Sequence, residues 1–388
     1  MAEQVKTGLD VLLAEGLAML RGRRVGLVTN PTGVTHDLTP NVTALLDAGV
    51  NVVALFGPEH GFDSSVQDAL AVGEERDEAT GLTIHSLYGV TEKPTPEMLA
   101  GLDMLLFDVQ DVGVRFYTYP WTMALCMAAA AENGLPIVVL DRPNPIRGDV
   151  CEGPVLLHGF ESFVGMYPVP LRYGLTIGEL AGLLNQEFKI DADLMVVKMQ
   201  GWRRGMWYGD TGLPWVQPSP NLPTLDTTVV YPGTCLVEGT TLSEGRGTTR
   251  PFELIGAPWL DGARLAAILN SRGLPGVRFR AAAFTPTFDK FSSGLCRGVQ
   301  VHVVDRARIR PIETGLHLLS AAREVAPDDF AWRPAIDDRR LHFDLLIGNA
   351  WVREALDEGV PVADIVARWQ PDLERWRELQ RRYVLYDE

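Results

Sequence analysis

Short, almost wholly apolar runs recur through the first two hundred positions, with helix-patterned segments between them. They are RVGLVTN (24–30), VNVVALFG (50–57), DMLLFDV (103–109), PIVVLDR (136–142) and LMVVKM (194–199). A strand with water on one face alternates apolar with polar residues, whereas a strand covered on both faces reads as a continuous apolar run. Helical patterns lie around 38–49, 121–134 and 176–188, the last opened by a Thr-x-x-Glu capping box at Thr176 and Glu179. This alternation predicts a mostly parallel sheet with helices on both faces, a doubly wound α/β domain. A further amphipathic helix is expected before the first strand, with Leu9, Leu13, Leu17 and Leu20 on one face.

The chain has 388 residues, more than one small core organises. Residues 200–234 break the pattern, being dense in Pro, Gly and Trp. Polar loops do not need tryptophans, so Trp202, Trp207 and Trp215 are expected to pack in a crossing segment and to leave rings lining a cleft. Beyond it a second, smaller α/β unit is expected, with strands VRFRAAAF (277–284) and GVQVHVVD (298–305) and helices at 310–325 and 362–382. The division reads as domains 1–229 and 230–388.

Fifty acids against thirty-five bases leave a formal net charge of −15. That excludes a general nucleic-acid binder, which carries a basic stripe, and disfavours an anionic membrane surface. No apolar run approaches the roughly 18 residues of a membrane span, so no membrane insertion is expected. The four cysteines, Cys126, Cys151, Cys235 and Cys296, are scattered and read as reduced core thiols. The N-terminal stretch lacks the basic leader of a signal peptide, so a cytoplasmic location is the expectation. Oligomeric state is not legible.

Sheets of this kind bind ligands beyond the carboxyl ends of their strands. Polar clusters stand at four such ends: TNPTG (29–33), GPEHG (57–61), DVQDVGVRFYTY (108–119) and DRPNP (141–145). There is no GxGxxG after the first strand, no phosphate loop, no HExxH and no GxSxG, so neither a dinucleotide nor any other cofactor is expected. What remains is rich in carboxylates beside Arg and Tyr. Glu59 is the leading candidate, because a Gly-Pro break before it and a Gly after His60 leave it little packing role. Asp111 and Glu244 are the other catalytic candidates. Paired carboxylates suit glycoside hydrolysis, in which one protonates the leaving oxygen. Duller roles compete: Asp108 as a helix or turn cap, Asp111 with Arg115 as a structural ion pair, His60 orienting Glu59. A metal site from Glu59, His60, Asp63, Asp68 and His85 is a second class of reading, matching no familiar zinc spacing. A two-lobed sugar-binding protein without catalysis is a third.

Eight strings together resemble one family: TNPTGV, LFGPEHGF, GLTIHSLYG, FDVQDVGVRFYTY, DRPNP, LRYGLTIGEL, TGLPWVQPSPNLPT and EGTTLSEGRGTTRPFELIGAPW. In this order, over nearly the whole chain, they are similar to the exo-β-N-acetylmuramidases. The resemblance implies release of terminal β-N-acetylmuramic acid from the non-reducing end of peptidoglycan fragments. It also implies a Rossmann-like catalytic domain and a smaller domain closing the cleft. Glu59 matches the family's proposed catalytic glutamate. The substrate-binding set expected beside it is His60, Asp108, Arg115, Tyr117, Tyr119, Arg142, Asn144, Asn221 and Arg246. The lactyl carboxylate calls for a basic group, with Arg115 and Arg246 ahead of Arg142 and Arg172. The 2-acetamido group of the substrate is an alternative nucleophile, in which case Asp111 or Glu244 orients it.

Overall fold

The computed structural model describes residues 4–59, 61, 75–335 and 340–387. Its central sheet holds β1 (Val25–Thr29), β2 (Val52–Gly57), β3 (Glu75–Arg76), β4 (Thr83–Ser86), β5 (Met104–Asp108) and β6 (Ile137–Leu140). A two-stranded hairpin, β7 (Glu152–Val155) with β8 (Pro170–Arg172), then intervenes before β9 (Leu194–Val197) completes the sheet. The order is β3-β4-β2-β1-β5-β6-β9, and every pair is parallel except the edge pair β3–β4. Counted over the six parallel strands alone, the order is 3-2-1-4-5-6, the doubly wound order of the Rossmann fold.

Both faces of the sheet are covered, as the continuous apolar runs require. Leu105, Phe107, Ile137 and Val139 join one core with the helices Tyr119–Glu132 and Ile177–Glu187. Their sequence neighbours Met104, Leu106, Val138 and Leu140 join a second core with Leu9, Leu12, Val42 and Leu45. The capping box at Thr176 and Glu179 is formed. The N-terminal stripe departs from expectation: Leu9, Leu12 and Leu20 are buried, while Leu13 and Leu17 are half-buried. The segment is α-helical only over Gly8–Val11, widens to a π turn at Leu12–Gly16 and tightens to 3-10 at Leu17–Leu20, so no single period applies.

The second sheet is antiparallel, in the order β10 (Leu254–Ala257), β12 (Cys296–Val303), β11 (Val277–Phe284). The helices Gly262–Ser271 and Pro311–Val325 pack with it. The expected helix at 362–382 is two helices, Val362–Arg368 and Gln370–Gln380, since Pro371 lacks an N–H and restricts the residue before it. The helix Leu225–Thr234 runs across the position 229/230. It packs closely on Pro311–Val325, where a Cβ on Gly233 would stand 1.8 Å from the Pro311 carbonyl oxygen. One apolar core continues from Val28 to Trp376, through both sheets. Residues near the C-terminus return to the first sheet: the Tyr386 hydroxyl donates to Asp141 at 2.5 Å and the Leu385 N–H to Glu179 at 2.8 Å.

The tryptophans of the crossing segment serve packing more than a cleft. Trp202 is buried edge-on against Tyr386, with ring centroids 5.0 Å apart, and Trp207 is buried under Arg172 and Arg306. Only Trp215 is half-buried, edge-on to Tyr208 at 4.9 Å. All four cysteines are free and buried. Among the described residues no helix is long and apolar enough to cross a membrane.

Candidate active site

Because β1, β2, β4, β5 and β6 are parallel, their C-terminal loops share one rim, with the topological switch point between β1 and β5. The chain's own side chains bridge that crevice. The Gln110 N–H donates to Thr32 Oγ1 at 2.9 Å, and the Thr32 hydroxyl donates to Asn30 Oδ1 at 2.5 Å. Gly33 admits this close packing, since a Cβ there would stand 2.2 Å from Asn41 Nδ2 and 2.3 Å from Thr29 Oγ1. Asn41 in turn donates to Asp108 at 2.7 Å. Arg142 grips the same carboxylate through Nε at 2.6 Å and Nη2 at 2.9 Å, and also donates to the Val34 carbonyl at 3.0 Å. Asp108 is 0% exposed, and its carboxylate is met by the side chains of Asn41 and Arg142 instead of serving as a helix or turn cap. With Arg142 it forms a buried clamp across the ends of β5 and β6.

Glu59 leaves β2 after Gly57 and Pro58 and is half-buried. Thr118 Oγ1 donates to its Oε2 at 2.5 Å. Thr118 stands between Tyr117 and Tyr119, which pack edge to face at 4.7 Å. Tyr117 also meets Tyr231 at 6.0 Å, Tyr231 meets Phe252 at 4.7 Å, and the Arg246 guanidinium lies over Phe252 at 5.1 Å. A chain of rings therefore links the first sheet's rim to the second unit. Two buried donors, Tyr117 Oη on this wall and Asn221 Nδ2 on the crossing segment, find no hydrogen-bond partner among the described residues. Such groups are costly unless a ligand or water satisfies them. The Tyr119 hydroxyl accepts from Asn30 at 2.9 Å and donates to the Pro218 carbonyl at 2.5 Å, fixing the crossing segment that carries Asn221. Glu92, half-buried beyond β4, has its carboxyl pushed up by burial and then by the negative charge of Glu59.

Glu59 is thus a carboxylate held by a hydroxyl beside a second acid, near a wall of aromatic rings. Comparison with known proteins identifies the family. Residues 25–226 match the family model described as exo-beta-N-acetylmuramidase NamZ, N-terminal, and residues 229–386 match its C-terminal counterpart. The chain belongs to the exo-β-N-acetylmuramidase NamZ family. It is 50% identical over 384 residues to the peptidoglycan beta-N-acetylmuramidase NamZ of Bacillus subtilis (strain 168), covering 99% of this chain and 92% of that one. Two DUF1343 family proteins of Bacteroides fragilis NCTC 9343 share the fold. One has a TM-score of 0.91 at 40% identity, covering 99% of both chains, and the other 0.80 at 31%, covering 100% of both.

The remaining candidates of this NamZ-family chain are distributed unevenly about the rim. Asp111 is buried and accepts from the Gly113 N–H at 2.7 Å and from the Tyr173 hydroxyl, and burial pushes its carboxyl up to about 6. It makes no ion pair with Arg115. Arg115 is 0% exposed and donates to the carbonyls of Pro154, Val169 and Leu346, so it joins the hairpin to the second unit and does not face a cleft. Asn144 is buried, donating to the Leu175 carbonyl at 2.8 Å. Arg172 is buried as well, with its guanidinium on the Ile146 carbonyl. Glu244 lies in a charge cluster of the second unit, with Lys290 Nζ at 3.0 Å and Arg246 Nε at 3.4 Å. Arg246 also pairs with Glu238 at 2.6 Å. His60, Asp63 and Asp68 lie outside the described residues, and His85 packs against Phe56 at 5.2 Å.

Thr118, Glu92, Tyr231 and Lys290 were not singled out by sequence. Thr118 sits inside the FYTY string, but its partner is fifty-nine positions away. Tyr231 reads as an ordinary helical aromatic, and its place on the wall depends on how the helix Leu225–Thr234 docks.

Proposed function

We infer that this protein is a glycoside hydrolase that releases terminal β-N-acetylmuramic acid from the non-reducing end of peptidoglycan fragments. The observation that carries the reading is Glu59 at the mouth of β2, bound by Thr118 and backed by the rings of Tyr117 and Tyr231. In this reading Glu59 is the general acid that gives its proton to the glycosidic oxygen. General acids need that proton near neutral pH.

Asp111 and Glu244 are both held in buried networks, which supports positioning roles for them. Glu92 is the acid best placed to work with Glu59, as base toward water or toward the substrate's 2-acetamido group. Tyr117 Oη and Asn221 Nδ2, two buried donors, are assigned to polar substituents of the terminal sugar. Among the four arginines considered for the lactyl carboxylate, Arg115, Arg142 and Arg172 are at most 3% exposed, whereas the Arg246 side chain is 14% exposed. That supports Arg246 as the receiving group. The parts 1–229 and 230–388 are proposed to close on the substrate from two sides, linked by the ring chain from Tyr117 to Phe252. The four free, buried thiols fit the reducing cytoplasm.

A chromogenic β-N-acetylmuramide tests the reading. It should be cleaved, and the corresponding N-acetylglucosaminide much less. Equal turnover of the two would remove lactyl recognition, and release from neither would leave a binding protein.

A further inference from the structure

The string GLTIHSLYG carries an aromatic that the reading above does not use. In the parallel register of β2 and β4, Gly57 pairs with Ser86, and the Leu87 N–H donates to the Gly57 carbonyl at 2.8 Å. Glu59 and Tyr88 each lie two residues further on. They therefore leave adjacent strands at the same level, on chains that run about 5 Å apart within a sheet. Tyr88 is half-buried, and its ring meets the half-buried ring of Phe163 with centroids 6.0 Å apart.

Phe163 is carried on the long connection between β7 and β8, and that connection is held firmly. Ser162 and Gly165 exchange backbone hydrogen bonds at 2.9 and 3.0 Å around it. From the second unit, Arg340 donates to the carbonyls of Gly159 at 2.8 Å and Glu161 at 3.2 Å. The Leu157 N–H donates to the Gly348 carbonyl at 2.9 Å. Two rings set in advance make a surface whose ordering cost is met before a ligand arrives. Just beyond Tyr88, Val90 is 92% exposed, so among the described residues this side of Glu59 opens to solvent. The other side is the buried wall of Tyr117 and Tyr231.

We propose that Tyr88 and Phe163 form the subsite for the leaving-group sugar, the N-acetylhexosamine ring on the reducing-end side of the scissile bond. This rests on the reading of Glu59 as general acid. Such an acid stands between the two rings of the substrate, because the oxygen it protonates joins them. An exo-acting enzyme encloses the terminal sugar and lets the rest of the chain run out to solvent. The closed wall therefore takes the terminal ring, and the open aromatic pair takes its neighbour. The apolar C–H face of a pyranose lies on aromatic carbon, as other apolar faces do. The pair adds reach toward the outgoing glycan and touches no reacting atom.

The test compares two substrates in Tyr88→Ala, Phe163→Leu and the conservative Tyr88→Phe. One is the disaccharide N-acetylmuramyl-β-1,4-N-acetylglucosamine. The other is β-N-acetylmuramyl fluoride, whose leaving group has no ring. Tyr88→Ala and Phe163→Leu should each raise KM for the disaccharide about 3–10-fold, with the fluoride kinetics unchanged and Tyr88→Phe near wild type. Equal losses on both substrates, or no loss on the disaccharide, would overturn the subsite. Thermal melts identify a variant that has lost its fold, and Phe163→Leu then carries the comparison. Failure of the underlying reading is separately visible: Glu59→Gln would keep wild-type turnover of the disaccharide.

Discussion

Thr118 Oγ1 donates to Glu59 Oε2 at 2.5 Å, and the two residues reach that contact from different strands, β5 and β2, across the end of β1. The bond fixes the direction of the carboxyl at the mouth of β2. It also favours the ionised form, since a donated hydrogen bond stabilises negative charge. Thr118 thus aims the Glu59 carboxyl.

Thr118→Val keeps the side chain's volume and removes the hydroxyl. It should fold normally, lower kcat about tenfold and move the alkaline limb of the pH–rate profile to higher pH, since the ionised carboxylate has lost a donor. An unmoved limb in a weakened enzyme would reduce Thr118 to a packing residue.

Glu59→Gln preserves shape and removes the proton. Turnover of natural disaccharide should fall on the order of 10²–10⁴-fold, the usual contribution of general acid assistance. The loss should shrink on a substrate whose leaving group departs without protonation. Steady-state rates on the two substrates decide it, and undiminished disaccharide turnover would move the acid elsewhere, with Glu92 next in line.

Arg142→Ala leaves the Asp108 carboxylate buried with no cation beside it. Removing one partner of a buried pair costs about 3–5 kcal/mol, so denaturant unfolding should show a loss of that order. Asp108→Asn with Arg142→Met, which removes both charges, should recover most of it. A loss below about 1 kcal/mol in the single variant would mean that water reaches the clamp.

Stability should rise from mildly alkaline to mildly acidic pH. Burial raises Asp111 to about 6 and Asp141 and Glu152 each to about 7, all above their unfolded values. A carboxyl raised in this way favours the fold fully below its unfolded pKa, and that contribution is lost as pH rises through the folded value. Glu238 has the opposite sign. Burial works to raise it, but Arg246 and then His342 outweigh burial and hold it down to about 2. Its contribution is present above the ordinary glutamate range and fades as pH falls toward 2. The melting temperature should therefore be higher near pH 5 than near pH 8, and fall again in strong acid. Calorimetric scans across that range check the sign, and a midpoint that climbs steadily from pH 5 to pH 8 would contradict it.

The amino-acid sequence alone pointed to the doubly wound sheet, because continuous apolar runs separated by helical patterns call for parallel strands covered on both faces. It also determined the rim, since parallel strands must all end on one side, and it pointed to Glu59 through the Gly-Pro break. Only the tertiary structure decided which polar residues of that rim are structural. Asp108 and Arg142 are 34 positions apart, Asp111 and Tyr173 are 62 apart, and Arg115 reaches the Leu346 carbonyl across 231. In one dimension a buried clamp and a substrate-binding cluster use the same residue types at the same strand ends. What separates them is whether the opposite charge arrives from the chain or from solution, and that depends on contacts between distant segments. The same holds for Thr118 and Tyr88, whose relation to Glu59 exists only because β5 and β4 flank β1 and β2 in the folded sheet.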